Sequence, residues 1–338
     1  AEVYLHILYT RLTDRHGLAS RRATRAFLKW ADEYDPDILW LHNIHGYYIN
    51  YELLFNWIKK RPQMQVKWTL HDCWTFTGHC GFYLYCGCDK WKISDGPMSC
   101  RCSDCPQPKA YPATRLFSNS AKNYERKRRA FTGVKNLTII TPSKWLADEL
   151  SHSFLKDYPV EVIYNTVNTE IFKPTPSSFK ADHGISDDDK MILGVANIWE
   201  PRKGLEDFIR LEQILKSESE ARGTSTETTK SGKIKIVLVG LTPAQIDDLQ
   251  KRAPGIIALG RTKDVYELAK VYSAADVFLN PTYEDNLPTV NLEAEACGTP
   301  VIAYDTGGCA ETLHRPDSRV IPQDISLVPG TITKLLQP

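Results

Sequence analysis

The chain has 338 residues, of which 42% are hydrophobic and 25% charged, and its formal net charge is +1. This composition excludes a disordered or fibrous protein, and the length favours two globular domains. No apolar run approaches the roughly 20 residues that span a bilayer. No basic-then-apolar leader opens the chain, so the predicted compartment is the cytoplasm.

The near-neutral total conceals an uneven distribution of charge. Residues 1–165 hold 23 Lys and Arg against 16 Asp and Glu, whereas residues 166–338 hold 19 against 25. A basic N-terminal half fits an anionic partner such as a membrane surface or a nucleic acid, and chance bias on solvated faces is the alternative. Because the aromatic residues form no basic–aromatic platform, we expect no nucleic-acid partner.

In the N-terminal half, helical and strand-like segments alternate around a cysteine-rich insertion at 73–106. The apolar patterns predict helices at 21–34, 47–60, about 119–131 and 144–154, and strands at 37–43, 66–72, 137–143 and 160–165. Proline-containing turn signals then predict an interdomain linker at 169–182.

The C-terminal half has a regular alternation of strands and helices. Short β-branched runs predict strands at 190–199, 233–240, 255–260, 276–281 and 300–305, with helices at 204–215, 243–253, 264–275 and 288–297. The polar stretch 217–233 is predicted as a surface loop. The strands lack two-residue alternation, which indicates a parallel sheet covered on both faces. We therefore predict an α/β protein with two doubly wound Rossmann-like domains, residues 1–168 and 183–338, and a ligand cleft between them.

Residues 278–300, FLNPTYEDNLPTVNLEAEACGTP, place acidic residues on both sides of a strand-to-helix turn. Pro288 suits the first helical position, and Gly298 ends the helix. Free backbone N–H groups at such a helix start can bind phosphate, here those of Leu287, Thr289 and Val290. Carboxylates would repel phosphate but bind sugar hydroxyls, here those of Glu284, Asp285 and Glu293. Together they predict a nucleotide-sugar site.

This segment resembles the E-x7-E signature of group 1 retaining glycosyltransferases, which have the GT-B fold. The resemblance implies that the first acid contacts the donor sugar and the second, Glu293, contacts the ribose of the nucleotide. Eight residues separate Glu284 from Glu293 and seven separate Asp285 from it. Either residue fits the first role, and we favour Glu284 slightly.

Further donor contacts follow from the same resemblance. Arg202 and Lys203, in EPRKG, precede a predicted helix, where a guanidinium and an ammonium can neutralise a departing diphosphate. If these cations supply the positive charge, that step needs no metal, so we expect no catalytic metal. The other implied donor contacts are backbone or side-chain groups of Arg261, Thr262, Asn286, Gly307 and Gly308.

Histidines lie at the ends of two predicted N-terminal strands. His71, in WTLHDCW, matches a family histidine that reaches toward the donor sugar. His42 and His45, in LHNIHG, are predicted on the acceptor side. The alternative for each is a capping or core histidine.

Seven of the nine cysteines fall between residues 73 and 105. In a cytoplasmic protein such a group more often binds metal than forms disulfides. The predicted ligands of a structural zinc ion are Cys80, Cys88, Cys102 and Cys105, with Cys86 and Cys100 as substitutes. Oxidised pairs and free thiols are the alternatives. Similar inserts occur in the colanic-acid and capsular-polysaccharide subgroup of the resembled family.

The resemblance implies transfer of a sugar from a UDP- or GDP-sugar to a saccharide acceptor, in many such pathways a lipid-linked one. The basic segment 122–131, with Arg21, Arg22 and Arg25, could then contact anionic lipid, or be a solvated face. The chain lacks the first strand and glycine-rich loop typical of the family, so we expect a truncated protein. An epimerase or hydrolase, or a non-catalytic binding protein, are the alternatives.

Overall fold

The structure is a computed structural model that describes residues 2–93, 102–221 and 233–335. It divides into two compact units, Ala1–Tyr164 and Asn165–Pro338. The division lies before the predicted linker at 169–182. Within that segment, Phe172 is buried in the core of the second unit, and the Thr175 amide donates to Ser273 Oγ of the same unit at 3.1 Å.

The first unit is built on a four-stranded parallel sheet in the order β1-β2-β3-β4. The strands are Ile38–Leu41, Gln65–Thr69, Leu137–Thr141 and Val160–Val162, and the helices α1–α5 are Glu2–Thr13, Arg21–Tyr34, Tyr51–Lys59, Ser120–Phe131 and Lys144–Ser151. The described strands follow one another in sequence across the sheet. This parallel sheet with its helices has the predicted α/β class.

The second unit contains a six-stranded parallel sheet in the order β10-β9-β8-β5-β6-β7. Its strands β5–β10 are Lys190–Val195, Ile234–Val239, Ile256–Ala258, Val277–Asn280, Val301–Tyr304 and Arg319–Ile321. Its helices α6–α11 are Phe179–Asp182, Leu205–Ala221, Pro243–Arg252, Val265–Ala274, Thr289–Ala296 and Val328–Leu335. The chain winds outward from β5 in both directions, so the predicted double winding is present here.

The central strands of the second unit are apolar on both faces because both faces are covered. In β9, Ile302 and Tyr304 pack into one core, while Val301 and Ala303 pack into the core on the other side. All four side chains of β8 and of β9 are buried. This two-sided burial explains why the sequence shows no two-residue alternation.

Four helices and strands were not predicted from the sequence: α1, α6, β10 and α11. Helix α1 lacks a one-sided apolar pattern, since Val3, Tyr4, Leu5, Leu8 and Leu12 are all exposed. Helix α7 continues to Ala221, so the start of the predicted loop at 217–233 is helical. Residues 222–232 of that loop lie outside the described residues. Among the described helices, none combines the length and apolarity needed to cross a membrane.

Two basic side chains of helix α4, the predicted basic surface helix, are engaged in contacts within the first unit. Lys127 is buried, and its Nζ donates to the carbonyls of Trp74 and Thr77, the latter at 3.1 Å. Arg126 pairs with Glu52 at 3.1 Å. Part of its positive charge therefore serves the interior and neighbouring helices rather than an external partner.

Candidate functional site

The second unit has a pocket of about 320 Å³ at the carboxyl ends of β5 and β8. These two adjacent strands mark the reversal of strand order, which is where ligands bind in open parallel sheets. The lining combines the loops after the two strands: Val195–Lys203 without Pro201, Leu279–Pro281, Asp285 and Leu287–Val290. The helix start that the sequence predicts to bind phosphate, Leu287 to Val290, thus lies on this pocket.

Helix α10 begins at Thr289 with Pro288 as its N-cap residue. Pro288 therefore precedes the helix instead of occupying its first turn as predicted, because its ψ of 105° is extended. The first amide donating within this turn is that of Asn291, to Pro288 O at 3.1 Å. The amides of Thr289 and Val290, at the first two helical positions, have no intrahelical acceptor and line the pocket wall.

Arg202 and Lys203 enter the same pocket from the short 3₁₀ turn Pro201–Lys203. The Lys203 ammonium contacts the Asp285 carboxylate, and Arg202 Nη1 lies 3.9 Å from the same oxygen. Arg202 Nη1 also donates to the Glu284 carbonyl at 2.8 Å. These contacts fix both cations beside the start of α10, where positive charge and helix amides together suit an anion.

The two candidate acids before α10 have different environments. Asp285 lines the pocket, and its side chain is 16% exposed. Glu284 is fully buried and does not line the pocket. The structure therefore places Asp285, and not the slightly favoured Glu284, where a ligand in this pocket would meet a carboxylate. Asn286 is also buried, next to the pocket-lining Leu287.

The Gly307–Gly308 turn packs against the backbone of Asp285. Gly308 N donates to Asp285 O at 3.1 Å. Gly307 has φ of 52°, and a Cβ there would lie 1.9 Å from the same carbonyl oxygen. Only glycine fits this approach without displacing the backbone. The turn thus sets the position of Asp285, a role distinct from the predicted donor contact.

Glu293, one turn into α10, receives a hydrogen bond from a residue that the sequence did not single out. The Tyr272 hydroxyl donates to Glu293 Oε2 at 2.9 Å. Burial raises the pKa of the Glu293 carboxyl, and the Tyr272 hydrogen bond opposes that rise. Tyr272 lies 21 residues earlier on α9, and no local pattern marks it.

A second missed feature is a chain of buried polar side chains beneath the start of α10. Asn280 Nδ2 donates to Asn291 Oδ1, and Asn291 Nδ2 donates to Thr312 Oγ1, both at 2.8 Å. These hydrogen bonds connect the end of β8 to α10 and to the segment after the glycine turn.

Arg261 contacts a residue of the pocket wall. Its Nη2 donates to the carbonyl of the pocket residue Asn197 at 3.0 Å. The neighbouring Thr262 is half-buried.

In the first unit, the predicted histidines lie together at the carboxyl ends of β1 and β2. His42 Nδ1 and His71 Nε2 are 3.1 Å apart and their rings stack. Burial lowers the pKa of His71, and the nearby His42 lowers it further. Parallel pairing of β1 with β2 brings the two segments together. Their contribution to an acceptor site stays a prediction.

Two residues complete this histidine cluster and were not predicted. His45 Nε2 lies 3.2 Å from Asp72 Oδ2, and His45 Nδ1 lies 3.2 Å from the Tyr111 hydroxyl. Burial alone would raise the pKa of Asp72, but His45 and the Trp74 amide hold it below its ordinary value. Asp72 directly follows the predicted site residue His71, so the sequence could have indicated it. Tyr111 is 66 residues from His45, and no local pattern links the two.

The predicted zinc ligands do not form a metal site in the described part of the chain. Residues 2–93, 102–221 and 233–335 contain no group of three or more His, Cys, Asp or Glu arranged to hold an ion. Cys102 Sγ accepts from the Gly78 amide at 3.1 Å, and Cys86 Sγ from Gln107 at 2.8 Å. A hydrogen bond from Cys80 lowers the pKa of Cys105 to about 6. Cys88 is half-buried, and Cys100 lies outside the described residues.

Comparison with known proteins identifies the second unit. Residues 189–337, most of the second unit, match the family described as glycosyl transferases group 1. The predicted family resemblance is therefore confirmed. Solved structures similar to the chain establish the fold as GT-B: sucrose-phosphate synthase from Thermosynechococcus elongatus has a TM-score of 0.63 at 20% identity, covering 93% of this chain and 67% of that one. The Anabaena HepE structure in complex with UDP has a TM-score of 0.59 at 16% identity, covering 92% and 71%.

Curated relatives extend the similarity into the first unit. The chain is 24% identical over 297 residues to the putative colanic acid biosynthesis glycosyl transferase WcaC of Escherichia coli, covering 86% of this chain and 65% of the relative. It is 27% identical over 181 residues to an alpha-galactosylglucosyldiacylglycerol synthase of Streptococcus pneumoniae, covering 52% and 45%. The chain thus spans about half to two thirds of the length of these relatives.

Proposed function

We propose that the protein is a retaining glycosyltransferase that takes a sugar from a nucleoside-diphosphate donor, a UDP- or GDP-sugar, to a saccharide acceptor. The observation that carries this proposal is the pocket at the β5/β8 switch point. There Arg202 and Lys203 from one loop and Thr289 and Val290 at the start of α10 line a cavity large enough for a diphosphate. The UDP named in the HepE structure supports a nucleotide donor.

In this proposal the protein stabilises the leaving group. The bond between the sugar carbon and the diphosphate oxygen breaks, and the acceptor oxygen bonds to the same face of that carbon. The acceptor proton passes to the departing phosphate. Arg202 and Lys203 neutralise the charge that develops on the diphosphate, so the chemical work is positioning and electrostatic stabilisation.

The acids have separate roles in the proposal. Asp285, on the pocket wall, contacts the donor sugar in preference to the buried Glu284, and Glu293 contacts the ribose. The backbone around Arg261 and Thr262 meets the base. In the first unit we assign His71 to the donor sugar and His42 and His45 to the acceptor, on family resemblance and on their clustering at the strand ends.

The proposed acceptor is a lipid-linked saccharide of a surface polysaccharide, at the cytoplasmic face of the membrane. The names of the Escherichia coli and Streptococcus pneumoniae relatives, a colanic acid enzyme and a glycolipid synthase, support this class. Helix α2 supports membrane contact, because Arg21, Arg22 and Arg25 are exposed, as are Trp30 and Tyr34 on the same helix.

Product analysis tests the proposed reaction against an epimerase or hydrolase. The protein is incubated with UDP-glucose, UDP-galactose and GDP-mannose, each with and without undecaprenyl-diphosphate-linked saccharide. We expect acceptor-dependent nucleoside diphosphate release and a product with the donor's anomeric configuration by NMR. Equal release without acceptor would establish a hydrolase, and a converted nucleotide sugar an epimerase. Inverted product would overturn the retaining mechanism.

A further inference from the structure

Helices α9 and α10 are connected by a hydrogen bond between two side chains of different burial. Tyr272 on α9 is fully buried, and its hydroxyl donates to Glu293 Oε2 at 2.9 Å. Glu293 on α10 is half-buried. The contact lies one helical turn beyond Thr289 and Val290, which line the donor pocket.

The surroundings of Tyr272 hold its hydroxyl in one place. The ring packs edge-on against Phe278 of β8 with centroids 5.5 Å apart, and against Phe172 at 6.2 Å. Thr299 Oγ1 donates to the Tyr272 carbonyl at 2.6 Å and so anchors its backbone. A tyrosine has only two side-chain torsions, and packing in the core fixes both.

The Glu293 side chain, in contrast, has three torsions and gains its orientation from this bond. An ionised carboxylate has about four acceptor positions, so the one bond from Tyr272 leaves most of its capacity for other donors. Burial alone favours the neutral acid, and the Tyr272 hydroxyl counteracts this by donating to the charged form. The hydroxyl therefore acts on both the direction and the charge of the carboxylate.

We propose that Tyr272 is a positioning residue that orients the Glu293 carboxylate toward the ribose hydroxyls of the bound nucleotide. This inference rests on the proposed function, in which Glu293 contacts the ribose. It adds a residue from a different helix to the donor site, and it makes selection of ribose over deoxyribose depend on the α9–α10 contact.

The test compares UDP and GDP with their 2′-deoxy forms by titration calorimetry. For the wild type we expect tighter binding of the ribose form. Tyr272→Phe removes one hydrogen bond to a charged group and should weaken the preferred nucleotide about ten-fold. It should also reduce the preference for ribose, and binding should fall off at a higher pH than in the wild type, because the Glu293 pKa rises.

The matched control is Tyr304→Phe, which removes another fully buried hydroxyl from the second unit. Tyr304 packs in the core on the opposite face of the sheet from Tyr272. The Tyr304→Phe variant should leave the ribose preference and the pH profile of binding unchanged. A loss that reflected only lower stability would affect both variants.

Glu293→Gln supplies a second variant that keeps the shape of the side chain and an acceptor for Tyr272. We expect it to abolish the ribose preference, and Tyr272→Phe should add nothing to it in the double variant. A wild-type preference in either single variant overturns the inference while leaving nucleotide binding, and so the proposed function, intact. If the wild type binds none of these nucleotides, both the proposed function and the inference fail.

Discussion

Replacing Asp285 with Asn is predicted to strengthen the binding of a nucleoside diphosphate while slowing sugar transfer. The Lys203 ammonium contacts the Asp285 carboxylate, and Arg202 lies 3.9 Å from the same oxygen. A diphosphate entering the pocket has to share these cations with Asp285, and the carboxylate repels it. The neutral amide removes the repulsion but also removes the carboxylate proposed to contact the donor sugar.

The size of the gain follows from the charge of Asp285 and from its exposure to solvent. At an effective dielectric constant of about 20, two unit charges about 5 Å apart repel by roughly 3 kcal/mol. The Asp285 and Lys203 side chains are 16% and 20% exposed, so water and salt reduce this repulsion. We therefore expect a net gain of about 1 kcal/mol, which is about five-fold in the dissociation constant.

The assay is calorimetric titration of UDP, GDP and ADP into wild type and Asp285→Asn at low and at high salt. The gain should shrink as salt rises, and turnover of the corresponding nucleotide sugar should fall. Asp305→Asn is the matched control, because Asp305 is exposed after β9 and does not line the pocket. Equal or weaker diphosphate binding by Asp285→Asn would refute the reasoning.

Three further predictions concern reactivity, stability and backbone geometry. A hydrogen bond from Cys80 lowers the pKa of Cys105 to about 6. Among the described cysteines, Cys105 should therefore react fastest with iodoacetamide at neutral pH. Its reaction rate should fall as the pH drops through about 6. Burial lowers the pKa of Lys127 to about 7 from 10.5, so between these values the unfolded chain binds a proton that the folded chain does not. The free energy of unfolding should therefore rise with pH across this window in the wild type relative to Lys127→Met. Gly307→Ala should lower the free energy of unfolding by about 2 kcal/mol or more, because the left-handed φ and the Asp285 carbonyl both oppose a Cβ.

Each of these predictions has its own control. Mass spectrometry across pH should show the Cys105 midpoint rising in Cys80→Ala, and an unchanged midpoint would contradict the assignment. Urea titrations of the wild type and Lys127→Met give the free energy of unfolding of each from pH 7 to 10. A difference between the two that stays constant over this range would exclude the Lys127 effect. Gly330→Ala, in helix α11 with nothing within 4 Å of a new Cβ, should be neutral or stabilising, and a similar outcome for Gly307→Ala would remove the steric argument.

The strand, turn and helix of residues 278–300 could be predicted closely because their signals are local. A buried strand, an irregular turn, proline before a helix and glycine after it occur within residues 278–300. The choice between Glu284 and Asp285 could not be made in the same way. The turn is irregular, and which acid reaches the pocket is decided by Arg202 binding the Glu284 carbonyl and Gly308 binding that of Asp285.

Contacts between residues far apart in the sequence could not be predicted from the sequence. Tyr272 and Glu293 meet because α9 and α10 pack together, and Tyr111 reaches His45 across 66 residues. Cysteine spacing predicted a metal site, but spacing does not determine which groups each thiol meets. In the described residues, Cys102 Sγ accepts a hydrogen bond from a backbone amide and Cys86 Sγ accepts one from the Gln107 side chain.

The central claim, that the β5/β8 pocket binds a nucleoside diphosphate through Arg202 and Lys203, is tested most directly by titration calorimetry with UDP, GDP and ADP. We predict that at least one binds the wild type and that Lys203→Ala weakens it about ten-fold or more, the usual scale for losing a charge-assisted contact. Lys251→Ala, at an exposed position on α8, should bind like the wild type. No binding of any of the three by the wild type, or undiminished binding by Lys203→Ala, would contradict the claim.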